Sequence, residues 1–220
     1  MRGRIQALPS LLAADFSRLE EEIRSVEEGG AKILHLDVMD GRFVPNLTFG
    51  PLIVKAIAKL TDLVLDTHLM VKEPAHLIPA FRKAGAHWLS IHVEACADPA
   101  AVLDEIRRSG ALPGIALNPE TPFEAVVPFL GGLNHLLVMT VSPGFGGQSF
   151  REDVLPKIEA AVRHREKHGH SYLVSVDGGV NRDTAARVRI AGAELLVAGS
   201  AIFRAEDRAA AMAAIRGEGG

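Results

Sequence analysis

Eight short apolar runs alternate with eight amphipathic stretches along the 220-residue chain, and this alternation restricts the fold more than any other feature. The runs fall near residues 4–9, 32–38, 62–69, 87–93, 112–117, 135–141, 172–177 and 194–198. The stretches between and after them fall near 17–28, 51–60, 74–84, 99–109, 122–130, 153–168, 182–191 and 205–216. The runs do not alternate strictly between apolar and polar, as expected of parallel strands covered on both faces. Eight strand–helix units of about 27 residues each predict an α/β protein, a single-domain (β/α)8 TIM barrel of parallel strands over residues 1–220.

Local signals support the helices. Asp15 or Ser17 can cap the first, Pro51 opens the second, and Pro74 and Pro99 stand in the first turns of the third and fourth. Gly29-Gly30, Gly85, Gly110, Gly169 and Gly192 close helical stretches. The structural alternative is an open doubly wound sheet. It calls for a glycine-rich dinucleotide turn after the first strand, where this chain has Pro9-Ser10-Leu11-Leu12.

Composition excludes several function classes. With a net charge of −3 and no long basic run, nothing points to nucleic acid or a membrane surface as partner. No apolar stretch approaches the ~18–20 residues of a membrane span. Cys96 is the single cysteine, which rules out an intramolecular disulfide and fits a reducing compartment. The N-terminal MRGRIQALPSLLAADF has a basic start, but Pro9 breaks its short apolar patch, so it reads as the mature start of a cytoplasmic protein.

The chemistry gathers at the ends of three runs: His35 and Asp37 in ILHLDVMD, His68 in LVLDTHLM, and Asp177 in YLVSVDGG. His35 and Asp37 are two residues apart on one strand, so both side chains face the same way. A barrel builds its active site at the C-terminal ends of its strands, where all four stand. Each residue alone has an ordinary structural explanation. Together, two imidazoles and two carboxylates are costly to bury unless paired or bound to a cation. Their mixed nitrogen and oxygen donors suit one divalent metal, Zn²⁺, Fe²⁺, Mn²⁺ or Co²⁺. Asp40 and Asp98 can serve as caps, and Asp66 as an outer or structural carboxylate. His92 and His135 lie on strands and are expected to be structural. His76, His87, His164, His168 and His170 are expected to face solvent.

Three late loops carry glycine: Ser142-Pro143-Gly144-Phe145-Gly146-Gly147-Gln148, Asp177-Gly178-Gly179 and Gly199-Ser200. Glycine lets backbone N–H groups approach an anion, and the following helix starts add partial positive charge. The loops after strands seven and eight of a barrel frequently hold phosphate. Without a G-x-x-x-x-G-K-[ST] loop, a nucleoside triphosphate is not implied. Phe145 marks its segment as a candidate lid. Met39, Met70 and Met139 can either fill core or line a reactive centre.

Motifs spanning nearly the whole chain resemble the ribulose-phosphate 3-epimerase family of the pentose phosphate pathway. They are PSLLAADF (9–16), LHLDVMDGRFVPNLTFGP (34–51), DTHLMV (66–71), HVEA (92–95), GIALNP (114–119), VMTVSPGFGGQSF (138–150), VDGGVN (176–181) and VAGSAIF (197–203). The departures are Ala13, where serine is usual, and Ser142, where asparagine or glutamate is common. The resemblance implies a TIM-barrel isomerase that interconverts D-ribulose 5-phosphate and D-xylulose 5-phosphate with one divalent metal cation per subunit. It carries the metal ligands onto His35, Asp37, His68 and Asp177, with Asp37 as proton acceptor and Asp177 as donor. It places substrate contacts at Ser10, His68, Gly144, Phe145, Gly146, Gly147, Asp177, Gly178, Gly179, Gly199 and Ser200. It also implies a homo-oligomer, dimer or hexamer. A 3-epimerase of a related ketose phosphate such as allulose 6-phosphate is the rival expectation. A phosphate-barrel decarboxylase or synthase would want an Asp-x-Lys-x-x-Asp pattern, and here Asp37 is followed by Val38-Met39-Asp40. A sugar-phosphate sensor on the same fold would need neither carboxylate.

Overall fold

A computed structural model describes residues 4–218. The strands are β1 (Gln6–Pro9), β2 (Ile33–Met39), β3 (Val64–Met70), β4 (Trp88–His92), β5 (Leu112–Leu117), β6 (His135–Met139), β7 (Leu173–Asp177) and β8 (Leu195–Ala198). The helices are α1 (Leu19–Glu28), α2 (Pro51–Ile57), α3 (Ile78–Ala84), α4 (Pro99–Arg108), α5 (Leu155–His168), α6 (Arg182–Ile190), α7 (Ser200–Phe203) and α8 (Arg208–Arg216). All strand pairs are parallel, in the order β1-β8-β7-β6-β5-β4-β3-β2. The eight strands wrap into the expected (β/α)8 TIM barrel. Its seam lies between β1 and β2, which meet through one bridge from Ser10 to His35. Among the described residues no helix is long and apolar enough to cross a membrane.

Alternate residues of each strand serve two different cores. Leu34, Leu36 and Val38 of β2 point outward and join Leu65, Leu89, Ile115, Leu136, Val174 and Leu196 beneath the helices. The inward set starts at the barrel floor with Ile33, Trp88, Leu173 and Leu195. Farther along the strands the interior turns polar, with His35, Asp66, Ser90, His135 and Ser175 all buried. This is why the strands read as unbroken apolar runs with a few isolated polar letters. Gly114 on β5 makes room for that middle layer, since a Cβ there would lie 2.4 Å from His135 Cε1.

Four expectations need correction, one being Pro74, which opens a 3-10 turn at Pro74–Leu77 ahead of an α3 that begins only at Ile78. The 122–130 segment is not an α-helix but two 3-10 turns, Phe123–Ala125 and Val127–Gly132, with Pro122, Pro128 and the Gly131-Gly132 pair interrupting longer helical bonding. Asp15 caps a 3-10 turn at Phe16–Arg18, and α1 begins only at Leu19 without a side-chain cap. After β8 an unexpected short helix, α7, precedes α8, which falls within the expected 205–216 stretch and is capped by the Asp207 side chain. Asp98 caps α4 as expected. Of the five helix-associated histidines, His76, His87 and His168 are exposed, but His164 and His170 are half-buried. The rings of His164, His168 and His170 stack on one another at the end of α5.

Candidate active site

Parallel strands of equal register bring their C-terminal ends to one rim, and the four chemistry-bearing residues meet there. Asp37 pairs with His68 across the β2–β3 ladder, and Asp177 ends β7. One donor atom from each of His35, Asp37, His68 and Asp177 lies within 4.8 Å of every other. His35 Nε2 and His68 Nδ1 each stand 3.2 Å from Asp37 Oδ1, and 3.8 and 3.7 Å from Asp177 Oδ2. Four ligands at ~2.0–2.1 Å from a tetrahedral cation are spaced by roughly 3.3–3.4 Å, close to these separations. His35 Nε2 is buried, has no hydrogen-bond partner and faces this centre. The residues therefore fit a divalent cation.

Neighbouring groups hold the ligands in place. Ser10 Oγ donates to Asp37 Oδ2 at 2.6 Å. Thr48 Oγ1 donates to the Asp37 carbonyl at 2.7 Å and accepts the Met39 N–H at 3.0 Å, tying the β2 end to its loop. His35 Nδ1 lies 2.8 Å from Asp66 Oδ2. An ionised carboxylate only accepts, so Nδ1 carries a proton and Nε2 is the nitrogen that faces the site.

The electrostatics follow from three carboxylates gathered around two imidazoles. Burial alone would lower the His35 pKa, but Asp37 and Asp66 outweigh it and hold it well above its usual range. Burial lowers His68 despite its contact with Asp37. Asp37 is buried, which favours its neutral form, yet His35 and His68 pull its carboxyl far below the usual carboxylate range. Asp177 goes the other way: burial, then the negative charge of Asp37, pushes it up to about 7. Without a cation the site is short of positive charge, and a metal would supply it.

Above the cluster opens a cavity of about 640 Å³. Ser10, Asp37, Gly144, Phe145, Gly146, Gly147, Asp177, Gly178, Gly179, Gly199 and Ser200 line it, so the expected contact residues other than His68 converge on one space. His35 and His68 lie beneath it. Met39, Met70 and Met139 are almost fully buried along its walls, serving both as core and as lining. Gly179 has φ +66°, and a Cβ there would sit 2.6 Å from the Phe150 nitrogen, so the turn after β7 depends on glycine. Across the mouth Asn46 Nδ2 donates to the Gly144 carbonyl at 2.8 Å, and Phe145 is 55% exposed at the rim.

Sequence reasoning passed over Glu94 and regarded His92 as structural. His92 Nε2 is 2.8 Å from His68 Nε2, and Glu94 stands behind His92. Their signal was faint: two polar letters, two apart, at the end of β4 in HVEA.

Comparison with known proteins identifies the family and the fold. The family described as "Ribulose-phosphate 3 epimerase family" matches residues 6–203. The ribulose-phosphate 3-epimerase of Bacillus subtilis (strain 168) is 51% identical over 214 residues, covering 97% of this chain and 99% of the relative. That of Synechocystis sp. is 48% identical over 98% of this chain and 95% of its own length. The chloroplastic ribulose-5-phosphate-3-epimerase of Arabidopsis thaliana is 45% identical over 94% of this chain and 75% of its own. Among solved structures, KGPDC from Streptococcus mutans superposes with TM-score 0.73 at 15% identity, over 97% and 96% of the two chains. A 3-hexulose-6-phosphate synthase does so with TM-score 0.66 at 22% identity, over 97% and 98%. At these identities the two structures share the fold.

Proposed function

Because the chain belongs to the ribulose-phosphate 3-epimerase family, we propose that the rim cluster inverts C3 of D-ribulose 5-phosphate to give D-xylulose 5-phosphate, and the reverse. The chain is an epimerase, and so an isomerase. The observation carrying the site assignment is the convergence of His35, Asp37, His68 and Asp177 below a cavity rimmed by the three glycine-bearing loops.

Inversion beside a ketone requires taking the C3 proton from one face and returning one to the other. Asp37 and Asp177 enter from β2 and β7 and serve as those two groups, one ionised and one protonated in each direction. In the metal-free fold their environments are opposed: the neighbouring imidazoles hold Asp37 ionised, while burial and the Asp37 charge raise the proton affinity of Asp177. In this direction Asp37 accepts and Asp177 donates. Ser10 holds the second Asp37 oxygen by its hydrogen bond, directing the other toward the centre. His35, Asp37, His68 and Asp177 hold one divalent cation. When bound, it supplies positive charge beside the carbonyl and stabilises the enediolate. Gly144–Gly147, Gly178, Gly179, Gly199 and Ser200 hold the phosphate, so binding energy at the far end orients C3. The methionine wall excludes water from the enediolate.

The same reading takes residues 1–220 as one epimerase domain, cytoplasmic and assembled as a dimer or hexamer, with a phosphorylated ketopentose as its partner. The test is a side-by-side kcat/KM measurement on ribulose 5-phosphate and allulose 6-phosphate, with and without exhaustive chelation. The expected result is preference for the pentose and loss of turnover on chelation. Preference for the hexose, or full turnover after demetallation, would contradict it.

A further inference from the structure

The two imidazoles of the cluster turn opposite nitrogens toward it, and each has an ordered group behind the other nitrogen. His35 presents Nε2 and is backed at Nδ1 by Asp66. His68 presents Nδ1, and its Nε2 lies 2.8 Å from Nε2 of the fully buried His92. His92 Nδ1 is 3.2 Å from Glu94 Oε2. The other Glu94 oxygen accepts the Asn118 N–H at 2.7 Å and the Thr121 hydroxyl. Lys157 Nζ in turn donates to the carbonyls of Asn118, Pro119 and Thr121, clamping the loop that grips Glu94. The Phe43 ring packs against the His92 ring, 4.8 Å away centroid to centroid and tilted by 48°.

Counting donors fixes the direction of this chain. Glu94 is ionised: burial would raise its pKa, but the bonds from His92, Asn118 and Thr121 hold it down to about 2. An ionised carboxylate only accepts, so His92 carries its proton on Nδ1. The neutral ring then offers a lone pair at Nε2, and the single proton in the contact between the rings belongs to His68 Nε2. With a cation bound, His68 Nδ1, which lies 3.2 Å from Asp37 Oδ1, is then the deprotonated nitrogen that faces Asp37 and Asp177. A histidine ligand needs this state, with its second nitrogen donating outward.

We propose that His92 and Glu94 are positioning residues for the metal site: a two-step relay from the β5 loop fixes His68 as its Nε2–H tautomer and presents Nδ1 to the cation. The proposal rests on the reading of His68 as a ligand. It differs from a plain structural role in that its loss should weaken metal binding more than it weakens the fold.

The experiment titrates the metal-free full chain with Co²⁺ against a competing chelator, following the visible spectrum, for wild type, His92→Phe, Glu94→Ala, His92→Gln and Asp37→Asn. The relay predicts Co²⁺ affinity about 10- to 100-fold lower in His92→Phe and Glu94→Ala, with the metal-free Tm close to wild type. His92→Gln, whose amide oxygen can accept from His68 Nε2–H, should recover part of the loss. Wild-type affinity in both His92→Phe and Glu94→Ala overturns the relay while leaving the metal site standing. Wild type binding no more tightly than Asp37→Asn brings down the ligand assignment itself, and the relay with it. If the substitutions prevent folding, ¹⁵N NMR of the wild-type imidazoles decides: a proton on His68 Nε2 supports the relay, and one on Nδ1 overturns it.

Discussion

The two sides of the site use the same side-chain type under opposite conditions. On the β2–β3 side the Asp37 side chain is 4% exposed, accepts a 2.6 Å bond from Ser10 and stands 3.2 Å from two imidazoles. On the β7 side the Asp177 side chain is 16% exposed to the cavity, and the same imidazole nitrogens are 3.7 and 3.8 Å away, beyond hydrogen-bonding distance. One carboxylate is fastened and strongly ionised. The other is loosely held, and its proton affinity is raised by burial and then by the charge of its neighbour. A reaction that removes a proton on one face and restores one on the other needs such a pair of unequal groups.

The largest test of this contrast removes each carboxylate in turn. Asp37→Asn and Asp177→Asn should each lower kcat by about 10²–10⁴-fold in steady-state assays. Binding of a phosphate ester in the glycine rim should stay measurable in both. Near-normal turnover in either variant would show that one carboxylate suffices.

A smaller effect concerns stability. The Asp177 pKa is raised from 3.8 to about 7 in the metal-free fold. A raised carboxyl pKa favours the protonated form, so its cost to the fold grows as pH rises through the 3.8–7 window and is complete above it. Asparagine mimics the protonated state. Metal-free Asp177→Asn should therefore exceed metal-free wild type by on the order of 3 kcal/mol above pH 7, and match it near pH 4. Urea denaturation at the two pH values measures the difference. Asp37→Asn should show no such gain, because the Asp37 pKa is lowered and its charge is favourable in the fold.

Smallest is the effect of the fastening itself. Ser10→Ala removes one hydrogen bond to an ionised group, a contribution of about 1.5–3 kcal/mol when fully felt. It should lower kcat by roughly 10-fold, with less change in the pH dependence set by Asp177. A shift of that pH dependence equal to the loss in rate would mean that the two carboxylates are not held independently.

Much of this was legible in the sequence for a physical reason. Parallel strands covered on both faces must be apolar, so His35, Asp37, His68 and Asp177 stood out against ILHLDVMD, LVLDTHLM and YLVSVDGG as costly exceptions. Helix ends marked by Pro51, Pro99 and Gly169 fell where expected. The failures were local or relational. The 122–130 segment is apolar enough for a helix, but Pro122, Pro128 and the Gly131-Gly132 pair that follows leave only 3-10 turns. Glu94 looked like one acidic letter in a loop because its importance lies in contacts with Asn118 and Thr121, about 24–27 residues away. The stacking of His164 and His170 was hidden similarly, since spacing along the chain does not specify ring packing.

The central claim is that Asp37 and Asp177 handle the C3 proton on opposite faces of one substrate. Deuterium washout from C3-labelled ribulose 5-phosphate and C3-labelled xylulose 5-phosphate, measured for both Asp→Asn variants, tests it most directly. The account predicts that Asp177→Asn exchanges label from ribulose 5-phosphate without forming its epimer, and that Asp37→Asn exchanges label from xylulose 5-phosphate alone. Washout from both substrates in either variant, or epimerisation at the wild-type rate, would contradict it.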